Sequence, residues 1–410
     1  MNPDVYIVDI ATLTPPRHRS DEMIGRFYDQ PGIARDVAVI AKRAERSVGI
    51  RTRASILDFD ALPEKRLISE QHAPKAWCLS LLDTLTSKLP PDRIGYLGVS
   101  YNATSNIDVL PNLACQVAAE RGLGLLASPH ELPHYGCASA VLQIASAVEF
   151  CRRTNRAAVV IALEQCTWAL DPIYDRNDAD FIASLRAHLL FADGAAAVLI
   201  APASIAREFQ NALRIVDVHT GFRPGGTLGM RKGRFLVGDG IKETMPELVT
   251  RECIQPSLDR HGLVPADVRD WAIHQGGLPV LSRFKDPAIL GLSDEQVADS
   301  ADSFAEFGNL SAASCLFVLR RQFERPSDRT SLGITIAFGA GYYFGCFLYE
   351  RCDPSAMPRS CRGIAGIARS KAAQPGAPTH ARRPHTHACR KSRLGTRRAD
   401  RVARLARPGR

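Results

Sequence analysis

The chain predicts an α/β fold made of two similar halves, in which sheets are sandwiched between helix layers. Three observations carry that expectation. Short, nearly continuous apolar runs recur along the chain, as strands covered on both faces require. Stretches with apolar residues at helical spacing separate them. Each half also closes on a Gly/Ala-rich turn into a final strand: Phe191-Ala192-Asp193-Gly194-Ala195 leading to Ile200, and Ala337-Phe338-Gly339-Ala340-Gly341 leading to Tyr349.

In order, residues 4–13 read as a first strand, followed by helical stretches near 20–28 and 35–47. Ile94 to Ser100 is a covered strand, with a helical run at about 109–121 after it. The chain then passes into Cys137–Arg153, where Val141, Ile144, Ala145 and Val148 mark one helix face. Ala157–Leu163 and Ala195–Ile200 are two more strands. Beyond a connection containing Gly221, Pro224, Gly225 and Gly226 the alternation resumes. Leu213–Val218 is a strand, Thr244–His261 a helix, Trp271–His274 a strand and Leu310–Phe323 a helix. Thr330–Phe338 and Tyr342–Tyr349 complete the body. The domains expected are 1–205, 206–350 and a tail, 351–410.

With 410 residues, 45% hydrophobic and 23% charged, the chain has a globular balance. Its net charge of +9 is unevenly placed: residues 351–410 hold 16 of the 52 Lys+Arg and 2 of the 43 Asp+Glu. The first 350 residues, with 36 basic against 41 acidic side chains, carry −5, which argues against broad nucleic-acid binding. The tail, broken by six prolines and without apolar periodicity, reads as disordered and dispensable for activity. Its His385, His387 and Cys389 make a weak metal site at most, and no metal is expected. Eleven cysteines without a Cys-x-x-Cys pair point to reduced thiols in the cytoplasm. The strand-like, acidic start is neither a secretory nor a transit peptide, and no apolar run is long enough to span a membrane.

Three segments carry candidate chemistry. Cys137 follows Gly136 and opens an apolar helix, where backbone N–H groups and the helix dipole favour thiolate. His274 closes a strand and precedes Gln275-Gly276-Gly277, which places it at a strand's carboxyl end, where α/β sheets bind ligands. Asn309 lies between Gly308 and Leu310-Ser311-Ala312-Ala313-Ser314, and could equally serve as a helix N-cap. A thiol, an imidazole and a carboxamide suit thioester chemistry. The acyl group is parked on sulfur, and two neutral donors hold the enolate formed when a malonyl thioester loses CO2. Gly339-Ala340-Gly341 can bring further backbone N–H groups close to that of Cys137. The alternatives are weaker: Gly98-Val99-Ser100-Tyr101-Asn102 lacks the second Gly of a nucleophile elbow, and no phosphate-binding glycine pattern occurs.

The segments around Cys137, Asp193, His274, Asn309 and Gly339 to Gly345, in that order, resemble the thiolase-fold condensing enzymes, specifically β-ketoacyl-ACP synthase III and its relatives, over residues 4–350. The resemblance implies a five-layered αβαβα sandwich and a homodimer whose partner lines the acyl tunnel. It implies Cys137 as acyl nucleophile, His274 and Asn309 as the decarboxylation pair, and the N–H groups of Cys137 and Ala340 as oxyanion hole. Phe338, Gly339 and Gly341 are candidate tunnel residues. The implied substrates are acyl and malonyl thioesters on coenzyme A or acyl carrier protein, with no cofactor. Type III polyketide synthases are similar in the same segments, and a silent partner subunit is the non-enzymatic alternative. Ala340, where plant-type members usually place Pro, and Gln275 favour the synthase III side. Ser47 stands where a basic residue is expected in the stretch that grips coenzyme A, Arg46 to Arg51, and Gly277 where synthase III enzymes often have Asn. Both departures suit a secondary-metabolite pathway.

Overall fold

Nine strands lie hydrogen-bonded side by side in the computed structural model, which describes residues 3–105, 110–326 and 331–352. The first half contributes β1 (Val5–Leu13), then, after a small ribbon of β2 (Arg17–Arg19) and β3 (Thr52–Ala54), β4 (Ile94–Tyr101), β5 (His130–Pro133), β6 (Ala157–Gln165) and β7 (Asp193–Pro202). The second contributes β8 (Ala212–Phe222), a hairpin of β9 (Leu228–Arg231) and β10 (Arg234–Val237), then β11 (Asp270–Ile273), β12 (Leu332–Gly339) and β13 (Tyr343–Cys352). The order across the sheet is β11-β12-β13-β8-β1-β7-β6-β4-β5.

The faint repeat in the sequence is explicit in the pairing. In the first half β4 runs parallel to β6, β6 antiparallel to β7, and β7 antiparallel to β1. In the second, β11 runs parallel to β12, β12 antiparallel to β13, and β13 antiparallel to β8. Within the sheet the halves join where Tyr6 and Ile7 pair with Arg214 and Leu213. Such a short seam lets each half twist on its own and take a helix layer between them.

That central layer is formed by the helices Ser139–Thr154 and Ser314–Glu324. Val141, Ile144 and Val148 from one, with Leu316 and Leu319 from the other, share a buried cluster with Ile7, Val160 and Val198 of the first half and Ile215 and Phe347 of the second. Strand alternation sends Ala195, Ala197 and Leu199 to the opposite face, where the helix Pro74–Thr86 covers them with Trp77, Leu81, Leu82 and Leu85. On the far side the helical run from Ile241 to Arg260 packs on β8 and Asp294–Phe307 on β11. The result is a five-layered αβαβα sandwich of the thiolase type.

Several expected boundaries move. The helix expected at 109–121 begins at Leu113, where Asn112 Oδ1 accepts the Cys115 N–H at 2.8 Å. The helix expected at Thr244–His261 is interrupted by a π-helical turn, Thr250–Ile254, just before Pro256, which has no N–H to continue an α-helical ladder. Helices at Pro74–Thr86, Phe181–Leu190 and Asp294–Phe307, and the β9–β10 hairpin, were not anticipated. The nine described cysteines are free of disulfides. Among the described residues no helix is long and apolar enough to cross a membrane. Of the disordered tail expected from residue 351, Arg351 and Cys352 instead end β13, paired with Leu213 and Ala212; the rest, with His385, His387 and Cys389, lies outside the described residues.

Candidate active site

Cys137 and Asn309 occupy related places in the two halves. Cys137 sits in a 3-10 turn, Gly136–Ala138, that leads into the helix Ser139–Thr154; Asn309 stands two residues before Ser311, which opens the 3-10 turn Ser311–Ala313 leading into Ser314–Glu324. The two central helices therefore begin two and four residues later than the sequence suggests. The carboxamide of Asn309 does not cap its helix: Oδ1 accepts the Ser311 N–H at 2.8 Å in a local turn, leaving NH2 as its other polar group. Its backbone is pinned on both sides, donating to Leu190 O at 2.9 Å and accepting from the Ala192 N–H at 3.0 Å. His274 follows β11, and its backbone N–H donates to Ile336 O at 2.8 Å.

All three side chains line one cavity of about 690 Å³. Phe338 shares it, its ring edge-on to the His274 imidazole at 5.3 Å between centroids. The outer part of the cavity is lined by Ser47, Val48, Arg186, Asp239, Lys242 and Glu243. Arg186 pairs there with Asp239 at 2.6 Å and Lys242 with Glu243 at 3.4 Å. A second cavity, about 450 Å³, is lined by Asn102, His134, Ser311, Ala340, Gly341 and the β9–β10 hairpin. Cys137, Phe191 and Leu228 border both. The thiol thus stands where two spaces adjoin.

Close backbone approach fixes the thiol against the late glycine loop. A Cβ on Gly339 would lie 2.3 Å from the Cys137 nitrogen, and one on Gly136 would lie 2.5 Å from the Ala340 nitrogen. Glycine at both positions lets the two segments touch. Gly339 therefore packs behind Cys137 and lines neither cavity, whereas Phe338 lines the larger and Gly341 the smaller.

Burial dominates the electrostatics. It pushes the Cys137 thiol up to about 12, against the lowering effect of a hydrogen bond from Ser311 Oγ, 3.4 Å from Sγ, while the Glu164 charge adds to the rise. The thiolate expected from the helix terminus is thus outweighed by desolvation in the resting site. Burial likewise lowers His274 to about 3, so the imidazole is neutral, and among the described residues its Nδ1 has no hydrogen-bond partner. Asp193 plays a structural part: fully buried, it accepts from the Ile56 and Thr167 N–H groups at 2.8 and 2.7 Å.

Two neighbours of the thiol escaped the sequence reading. Asn102 follows a strand considered only for its serine, and Glu164 lies one residue past the expected strand end at Leu163. Its signal was available: a carboxylate that extends an unbroken apolar strand must be buried with it, and such a group calls for a reason. The third miss, Phe235 on the unanticipated hairpin, stacks on Phe191 at 4.7 Å and lines the smaller cavity.

Residues 234–351 match the family described as chalcone and stilbene synthases, C-terminal domain. The chain is 26% identical over 271 residues to the alpha-pyrone synthesis polyketide synthase-like Pks18 of Mycobacterium tuberculosis, covering 63% of this chain and 66% of that protein, just under two thirds of its length. It is also 26% identical over 360 residues to the 1,3,6,8-tetrahydroxynaphthalene synthase of Streptomyces peucetius subsp. caesius, 82% of this chain and 90% of that one. The fold is similar to that of germicidin synthase from Streptomyces coelicolor, a type III polyketide synthase, with a TM-score of 0.68, 18% identity, and coverage of 85% of this chain and 100% of that one. These likenesses correct the preference for the synthase III side. Gln275 is fully buried and lines neither cavity, and the Ala340 nitrogen lies close against Gly136. The chain thus has the thiolase-type fold and is similar in sequence to type III polyketide synthases, its C-terminal part matching the chalcone and stilbene synthase family.

Proposed function

We propose that this enzyme loads an acyl group onto Cys137 and extends it with malonyl units by decarboxylative Claisen condensation, in the manner of a type III polyketide synthase. The observation that carries the reading is the shared cavity, which gives one bound thioester access to Cys137, His274 and Asn309. In loading, the Cys137 sulfur attacks the acyl carbonyl, the carrier's thiolate departs, and the thiol proton leaves with it. A malonyl thioester then loses CO2. The resulting enolate oxygen is held by the imidazole N–H of His274 and the NH2 of Asn309, both neutral, so charge is stabilised only as it develops. The enolate carbon attacks the acyl-Cys137 carbonyl, whose oxyanion lies against the N–H groups of Cys137 and Ala340, and the Cys137 thiolate leaves. Coenzyme A thioesters are the proposed substrates; Arg186 and Lys242, which pair with Asp239 and Glu243, line the larger cavity and are the cations available to their phosphates. The smaller cavity receives the growing chain. The names of two relatives, an alpha-pyrone synthase-like protein and a tetrahydroxynaphthalene synthase, support cyclised polyketides as the product class.

The test is product analysis by mass spectrometry with a panel of acyl-CoA starters and malonyl-CoA. Products longer than the starter by two-carbon units, with one CO2 released per unit, support the reading. Acyl transfer to an alcohol or amine without CO2 release replaces it with ester or amide formation.

A further inference from the structure

Two buried thiols on the far side of the second half meet without taking any part in the condensation. Cys253 lies in the π-helical turn Thr250–Ile254, and Cys346, 93 positions later, lies in β13, on which that turn packs. Both are fully buried, and their sulfurs stand 3.3 Å apart. Around them the other acceptors are backbone carbonyls: the Cys253 thiol also reaches His219 O at 3.4 Å, and the Cys346 thiol reaches Cys253 O at 3.6 Å. Among the described residues no cluster of three or more His, Cys, Asp or Glu is placed to hold a metal ion, so the contact is a bare dithiol. A disulfide holds its sulfurs at about 2.0 Å, so closure takes a movement of about 1.3 Å. Cys346 is the fixed partner, since β13 is paired on both edges, with Ile336 of β12 and His219 of β8 opposite this residue. Cys253 is the movable one, because a π turn interrupts the regular ladder of its helical run.

We propose that Cys253 and Cys346 are a modification site, oxidised by hydrogen peroxide to a disulfide that ties the helical run from Ile241 to Arg260 to the sheet. The Cys253 sulfur attacks one peroxide oxygen, the O–O bond breaks, and the departing hydroxide takes the thiol proton as water, leaving a sulfenic acid. The Cys346 sulfur then attacks the Cys253 sulfur, the S–O bond breaks, and the second hydroxide leaves with the Cys346 proton as water. Each sulfur gives up one electron, and one peroxide becomes two waters. Packing directs the outcome: a sulfenic acid in contact with a second thiol and away from solvent closes to a disulfide before another peroxide can carry it to sulfinic acid. The contact with Cys253, together with burial, holds the Cys346 thiol well above its ordinary value, so the first oxidation falls to Cys253 as its turn opens. Joining positions so far apart in sequence restricts the unfolded chain, so the oxidised protein resists unfolding more than the reduced one.

The experiment exposes the full chain to hydrogen peroxide, blocks the remaining thiols with N-ethylmaleimide in urea, and maps the protein with trypsin without reduction. Cleavage after Arg251, Arg260, Arg329 and Arg351 leaves Cys253 and Cys346 each as the sole cysteine of its peptide, so the bond can be assigned directly. The expected product is peptide 252–260 joined to 330–351, lighter by two hydrogens than the two together and separated by dithiothreitol. The urea midpoint of the oxidised chain is expected to rise and to return on reduction. In Cys253→Ala and Cys346→Ala both the cross-link and the rise are lost; where a variant does not fold, the wild-type cross-link and its reversal decide the matter. Sulfinic acid on either residue, a disulfide from either to another cysteine, recovery of both as alkylated thiols, or a cross-link that forms only in the urea-unfolded chain overturns the inference.

Discussion

Burial alone keeps the His274 imidazole neutral, and among the described residues no carboxylate holds its Nδ1. A folded-state value of about 3 means that the imidazole stays uncharged down to well below pH 5. In Cys137→Ala, which cannot form an acyl enzyme, release of CO2 from malonyl-CoA is therefore expected to be flat from about pH 5 to 8; an inflection near 6.5, the ordinary histidine value, would show a solvent-exposed imidazole instead. Removing either donor, in His274→Ala or Asn309→Ala, is expected to leave acylation of Cys137 intact while lowering CO2 release by about 10²- to 10³-fold. Cys137 and Asn309 stood out in the sequence because each follows a glycine just before a helix-forming run, and His274 because it ends a strand and precedes Gln275-Gly276-Gly277. The ionisation of Cys137 was not legible there: a helix terminus can be read from spacing, but the desolvation that outweighs it depends on what closes over the sulfur.

At the scale of elements, the long apolar strands and the two central helices were readable from periodicity, and their errors fall at the ends. The reason is shared by both central helices: each is entered through a 3-10 turn whose small residues, Gly136 to Ala138 and Ser311 to Ala313, look like the first turn of the helix that follows. The hairpin β9–β10 was hidden because Lys232-Gly233, both at positive φ, makes its turn without the Asn-Gly pattern that signals one. Under the proposed function it bears on product length, since Met230, Phe235 and Leu236 wall the smaller cavity. Met230→Trp is expected to reduce that space and shorten the products by one or more extension units, with acylation of Cys137 unchanged. Mass spectrometry of products and of the acyl enzyme checks both halves of that expectation, and an unaltered product length would place the growing chain elsewhere.

Across the whole molecule, the repeated strand pattern delivers the site. Two related halves each aim the start of a central helix at the same point, so the Cys137 turn and the Ser311 turn meet, and β11 adds His274 from the edge of the second half. Stability and site geometry are consequently coupled through the central layer. Leu316, fully buried one turn into the second central helix, sits in that layer's cluster; Leu316→Ala is expected to cost about 2–5 kcal/mol in urea unfolding and to slow acylation of Cys137 as well, while a stability loss with acylation unchanged would uncouple the two. The repeat itself was faint in the sequence because the halves share a strand order rather than residues. The most direct measurement of the central claim is the intact mass of the full chain after incubation with an acyl-CoA. A single acyl adduct that maps to Cys137, is absent in Cys137→Ser, and disappears on adding malonyl-CoA as CO2 is released is the predicted result; an adduct on another residue, or one at Cys137 that malonyl-CoA leaves untouched, would contradict it.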